Sequence, residues 1–168
     1  MNHADLCGRK LTDIVAEGFF EDGAPGRFTP MFSAIYLELE DGLVVLQSLE
    51  QYSRMAISAV DEYRPKFAVD PDTRYGVCSL GSVLMVHPSD NCWIDRVEIY
   101  RSDEPSGEQR TCALGLLLGT GQYMFFDPTQ LSGINVGGPE QRAYWLQNLL
   151  PQTIVSCTIV CRSDPGAT

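Results

Sequence analysis

Few residues in this chain have the types and spacing that chemistry needs. His87-Pro88-Ser89-Asp90 contains the three side-chain types of a hydrolase triad. A working triad aligns nucleophile, base and carboxylate in space, usually from distant segments. Crowded into four residues, and without a Gly-x-Ser-x-Gly elbow anywhere, these read as a turn at a strand end. Gly119-Thr120-Gly121 follows an apolar run and invites a dinucleotide reading. Its third glycine is missing, and Phe125-Phe126-Asp127-Pro128 is no phosphate-facing helix start, so a glycine hairpin turn is expected. Gly133 to Gly138 stand before a helical segment whose backbone amides could receive an anion. The Walker lysine and Ser/Thr are absent and Pro139 removes a donor, which leaves simple helix-start chemistry. Glu21-Asp22, Glu40-Asp41, Asp61-Glu62 and Asp103-Glu104 are adjacent acids of the kind that decorate turns, whereas glycosidase chemistry needs two held across a cleft. No enzyme is expected, and no cofactor.

Six cysteines, at 7, 78, 92, 112, 157 and 161, include no C-x-x-C pair, and His3 and His87 are too few and too far apart for a zinc site. No metal is expected. Read as a strand, Thr153 to Cys161 puts Val155, Cys157, Ile159 and Cys161 on one face. That face is expected to lie in the core, with the thiols reduced and acting as small hydrophobes.

The elements that would position any site are mostly strands. Ser33 to Glu40 alternates apolar and polar residues, Asp41-Gly42 is a two-residue turn signal, and Leu43 to Leu49 returns. Arg54 to Val60 extends the meander. Leu80 to His87 and Cys92 to Tyr100 are predicted strands around the turn Pro88 to Asn91, and Asp103 to Glu108 is a predicted loop. Thr111 to Leu118 and Gln122 to Phe126 pair across Gly119 to Gly121 as central strands covered on both faces. Leu11 to Phe20 fits a weak helix or a strand equally. One helix is clear: Pro139 suits its first position, Glu140 complements its N-terminus, and it ends before Pro151. Ala143, Trp145, Leu146, Leu149 and Leu150 form its predicted apolar face. The expected fold is α+β: one domain over residues 1–168, with a large, mainly antiparallel β-sheet, one or two packed helices, and frayed ends at 1–5 and 163–168. The first ten residues lack the cationic start and apolar stretch of a secretory signal. No apolar run approaches the roughly 20 residues that span a bilayer. A cytoplasmic chain is expected.

Charge gives the strongest functional pointer. The 168 residues carry a formal charge of -10, and Leu11 to Glu62 holds ten carboxylates against only Arg27 and Arg54. Such a segment repels phosphates and anionic membranes and attracts a basic protein surface. In the first hairpin, Ile35, Leu37 and Leu39 are predicted to face the core, leaving Tyr36, Glu38 and Glu40 outside. With Asp41-Gly42 as the turn, Glu40 opposes Leu43, Glu38 opposes Val45 and Tyr36 opposes Gln47. Tyr36, Glu38, Glu40, Asp41, Leu43 and Val45 therefore form the candidate partner-binding face, with apolar area for affinity and carboxylates for steering.

On Phe32 to Gly42, and on the apolar Leu114 to Phe126 hairpin with Gly133 to Gly138 after it, the chain resembles bacterial immunity proteins, cytosolic antidotes of secreted or contact-delivered toxins. The resemblance is one of type and carries no diagnostic motif. It implies a protein that binds a cognate toxin, blocks its catalytic cleft or substrate access, and uses Glu38, Glu40 and Asp41 against cationic groups of that toxin. An acidic secretion chaperone or adaptor for an effector protein is the alternative reading, and a small enzyme with a scattered site is a third.

Overall fold

Period-two patterning builds most of what it predicts. The computed structural model describes residues 3–21, 27–49, 54–70, 72–85, 92–103, 109–130, 133–148 and 155–161. After a short 3-10 helix at His3–Leu6, the strands are β1 (Leu11–Glu21), β2 (Phe28–Leu39), β3 (Gly42–Leu49), β4 (Arg54–Val60) and β5 (Thr73–Ser79). A four-residue helix α1 (Gly81–Leu84) precedes β6 (Ile94–Asp103), β7 (Gln109–Leu118), β8 (Tyr123–Gln130) and β9 (Gly133–Gly137). Helix α2 (Pro139–Gln147) and β10 (Val155–Cys161) complete the order. Among the described residues this is a largely β fold with few helices, and none is long and apolar enough to cross a membrane.

All ten strands belong to one curled sheet, ordered β10-β6-β7-β8-β9-β2-β1-β5, with β3 and β4 added beside β2. Every pairing is antiparallel except β2 with β9, which meet at Phe32 and Gly133. The sheet curls until its start meets its middle: Lys10 bridges Trp93, and Ile94 donates its N–H to the Arg9 carbonyl at 2.8 Å. Strands β1, β6, β7, β8, β9 and β2 thereby follow one another around a ring. Strand β2 pairs with three neighbours, β1, β3 and β9, and a bulge lies where β9 joins. Ala16 faces Ile35 but Glu17 faces Met31, so residues 32–34 leave the β1 ladder, and Phe32 pairs with Gly133 of β9. Gly133 is required at that junction, because its φ is +109° and a Cβ would lie 2.1 Å from the Phe32 carbonyl oxygen.

The ring is filled by one apolar cluster. Ile14, Ile35, Leu37, Leu46, Val97, Ile99, Leu114, Leu116 and Phe126 meet there, and Met55 of β4 closes over β7 and β8. The opposite face of the sheet is covered in two places, each with a smaller aromatic cluster. Trp145 of α2 packs on Tyr100 and Phe125 at ring distances of 5.4 Å. The chain after β4 folds back so that Tyr63 meets Tyr36 edge-on at 5.0 Å, a geometry that contributes about 0.5–1.5 kcal/mol beyond area burial.

Leu11 to Phe20, open to helix or strand in the sequence, is strand. Several expectations are corrected. Gly81 to Leu84 is helix rather than strand: Leu80 still donates to the Ile14 carbonyl beside β1, but Gly81 donates to the Asp13 carboxylate, and Leu84 and Met85 donate back to the Leu80 and Gly81 carbonyls. Helix α2 starts at Pro139 as predicted, but Ala143 and Leu146 are exposed, and only Trp145 is buried. Cys157, Ile159 and Cys161 are exposed on β10, which turns only Val160 toward the main core. The predicted turn at 88–91, the loop residues 104–108, helix residues 149–150, strand residues 153–154 and the ends 1–2 and 163–168 lie outside the described residues.

One charge is buried under the segment after β4. Glu17 is fully covered, accepting the Ser33 hydroxyl at 2.9 Å and the Lys66 N–H at 3.0 Å. Desolvation outweighs these bonds and raises its pKa above the ordinary glutamate value. A carboxyl whose folded pKa is raised penalises the folded state once ionised. Stability should therefore rise as pH falls from neutrality through that folded pKa. In Glu17→Gln, whose amide can bond both Ser33 and Lys66, this part of the pH dependence should vanish, with stability at neutral pH retained or increased. Urea denaturation across the acid-to-neutral range checks it; a Glu17→Gln variant that keeps the wild-type slope contradicts it.

Candidate functional site

The first candidate is the predicted hairpin. Ile35, Leu37 and Leu39 do face the core. The turn, however, consists of Glu40-Asp41, and Gly42 already belongs to β3. The pairs are thus Glu38 with Leu43, Tyr36 with Val45 and Ala34 with Gln47, two residues from the predicted register. A shift of two preserves which face each side chain takes. The opposite face is nonetheless largely covered. Tyr36 is fully buried and Val45 nearly so, with Val15, Ala34, Leu43, Val60 and Tyr63 around them. The Tyr36 hydroxyl donates to the Arg64 carbonyl at 2.6 Å, which fastens the covering segment. Tyr36 and Val45 therefore support the hairpin from inside rather than offer it to solvent.

The charged positions behave differently. Glu38 is half-buried and accepts the Tyr63 hydroxyl, while Glu40 and Asp41 are exposed at the hairpin tip. Because Leu43 also pairs with Val60, the register brings exposed Asp61 and Glu62 to the same end. Asp41 is held by Arg9 at 2.6 Å, a hydrogen-bonded pair that lowers its pKa, and Glu62 is held by Arg64 at 2.6 Å. Among the described residues Glu40 and Asp61 have no ion-pair partner. Two fixed pairs and two uncompensated carboxylates thus stand at one end of β2, β3 and β4.

A second site was not singled out by the sequence. On β6, Arg96, Glu98 and Tyr100 share the face opposite Val97 and Ile99. Glu98 is buried, yet its Oε2 accepts the Tyr100 hydroxyl at 2.7 Å and the Tyr123 hydroxyl at 2.8 Å. Arg96 Nε lies 3.2 Å from Oε1, close enough for an ion pair but misaligned for a hydrogen bond. Arg142 Nε lies 3.5 Å from Oε2 and donates to the Tyr100 hydroxyl oxygen at 2.5 Å. Burial alone would raise the Glu98 pKa, but the two tyrosine hydroxyls and two arginines outweigh it and hold the carboxyl below the usual range. Burial, with the neighbouring carboxylate, pushes Tyr100 up to about 12. A cavity of about 350 Å³, lined by Arg96, Glu98, Leu117, Tyr123, Pro139 and Arg142, opens beside this cluster. Asp127, also fully buried, completes the seating of α2 by accepting Gln141 Nε2 at 2.7 Å and the Thr129 hydroxyl at 2.6 Å.

No family model, curated protein or solved structure matches this chain. Its chemistry rests on its own residues. Among the described residues no group of His, Cys, Asp and Glu is placed to hold a metal. The alternation Arg96-x-Glu98-x-Tyr100 was visible in the sequence, but its partners Tyr123 and Arg142 come from β8 and α2.

Gly115 makes the cluster possible. It pairs with Glu98 between β6 and β7, and a Cβ there would lie 2.3 Å from the Tyr123 hydroxyl oxygen. The absent side chain is the passage by which Tyr123 crosses β7 to the carboxylate. Gly115→Ala should destabilise the protein by about 1–3 kcal/mol through overpacking. In the Tyr123→Phe background, where the blocking oxygen is gone, its cost should be smaller. Urea denaturation of the four-variant cycle checks this, and strictly additive costs contradict it.

Proposed function

We propose that this α+β chain is a protein-binding inhibitor: an immunity protein that neutralises a cognate bacterial toxin in the cytoplasm by covering its active site or substrate access. The observation that supports the reading is the gathering of Glu38, Glu40, Asp41, Asp61 and Glu62 at one end of β2, β3 and β4, from two separate stretches of chain. Glu40 and Asp61 supply steering charge for a cationic surface, and half-buried Leu43 lies between them as apolar contact area. Tyr36 and Val45 hold this end rigid from beneath, which lowers the ordering cost of association. The partner is a toxin or effector domain with a basic surface, whose substrate-holding cations would be occupied by these carboxylates.

The test is capture from the source cell's lysate with the wild-type chain and with Glu40→Lys/Asp61→Lys. The wild type should recover one near-stoichiometric companion with a basic domain, and co-expression should relieve that companion's toxicity. Exposed charges steer association, so the double variant should associate about tenfold or more slowly at low salt while keeping its fold. Equal association of the variant at every salt concentration contradicts the acidic-end interface. A set of several effector-like clients, or a companion whose toxicity is unaffected, contradicts the inhibitor reading.

A further inference from the structure

We infer that the cavity between β6, β7 and the start of α2 binds a small monocarboxylate, gripped by Arg96 and Arg142. The inference is independent of the acidic end. Its volume, about 350 Å³, falls at the small end of the roughly 300–1,000 Å³ range of small-molecule sites.

Charge is the first argument. Two guanidinium groups face one carboxylate, and Glu98 already accepts two tyrosine hydroxyls. One arginine would neutralise it; the second leaves a net charge of one, which a monoanion balances. Orientation is the second. Arg142 donates through Nε to the Tyr100 hydroxyl, Arg96 Nε faces Glu98 as an ion pair without a hydrogen bond, and among the described residues neither guanidinium has a hydrogen-bond partner at its Nη ends. The two side chains remain 39% and 41% exposed, beside the cavity they line. Arg142 is further steadied over the Tyr100 ring at 5.6 Å. Arg142, fixed through Nε, presents a planar pair of donors that matches the two oxygens of a carboxylate, and Arg96 lines the same cavity with a second guanidinium. Holding both guanidinium groups on one buried anion also means little side-chain freedom is lost on binding.

The remaining walls select the body of the ligand. Leu117 and Pro139 are apolar, and Tyr123 is committed through its hydroxyl to Glu98, so it offers ring rather than a polar tip. A short aliphatic or aromatic acid fits these surfaces. A dianionic phosphate fits less well, because one of its charges is balanced by the spare guanidinium and the second would meet Glu98.

The experiment titrates the ¹⁵N-labelled full chain with benzoate and follows the Nε–Hε resonances of Arg96 and Arg142. Benzamide serves as the neutral match in shape and inorganic phosphate as the multivalent anion. Benzoate in the millimolar range should move both resonances saturably, benzamide should not, and phosphate should bind more weakly. Arg96→Gln should weaken benzoate binding about tenfold or more, the loss of one charge-assisted fork, with an otherwise unchanged amide spectrum. If that variant does not fold, Arg96→Lys, which keeps the charge and loses the planar fork, carries the test and should also bind more weakly. No saturable shift, an equal response to benzamide, tighter binding of phosphate, or wild-type affinity in a folded Arg96 variant would each overturn the assignment.

Discussion

Three buried carboxylates hold the outer layer of this protein to its sheet. Glu17, Glu98 and Asp127 are the buried acidic residues of the described chain, and each lies on a face of the sheet that a covering segment must close. Glu17 receives the backbone of Lys66 from the segment after β4. Asp127 receives Gln141, and Glu98 faces Arg142, both from α2. The covering pieces bring few apolar side chains of their own; α2 buries only Trp145. Polar anchorage supplements the modest hydrophobic contact, and the candidate ligand cavity lies where one of those anchors is held by two cations.

A buried charge persists only when its desolvation is offset by hydrogen bonds or opposite charge. The protein meets that requirement in two distinguishable ways. Glu98 has two phenolic donors and two guanidinium groups, enough to favour its ionised form more strongly than water does. Glu17 has one hydroxyl and one amide, which desolvation outweighs. The same residue type, buried under two covers of one sheet, is thereby driven in opposite directions. The Glu98 arrangement also depends on a neighbour's missing side chain at Gly115, so backbone, packing and electrostatics are coupled at this point of β7.

Features governed by local alternation were legible in the sequence. Ile35, Leu37 and Leu39 face inward, the Leu114 to Phe126 hairpin forms, and Pro139 starts a helix, because each depends on period, turn residues or φ restriction within a short stretch. The hairpin turn fell one residue earlier than expected, which moved the pairing by two without changing either face. What the sequence concealed was set by distant partners. Tyr36 reads as an outward residue until Tyr63 and Arg64 fold over it. The α2 face was chosen by Asp127 and Glu98 engaging Gln141 and Arg142, not by Ala143 and Leu146. Residues Cys157, Ile159 and Cys161 alternate like a core strand but lie at a sheet edge. Likewise, the Arg96, Glu98 and Tyr100 alternation became a site only when Tyr123 and Arg142 arrived from other elements.

Buried carboxylates in unlike surroundings fasten the two covers of the sheet, and their protonation reports those surroundings directly. The most direct measurement is a ¹³C NMR titration of the side-chain carboxyl groups of Glu17 and Glu98 in the folded protein. Glu17 should take up its proton above the ordinary glutamate value of 4.5, and Glu98 only below it. Titration of both residues together at the ordinary value would mean that water reaches them and that the covers are held by something else.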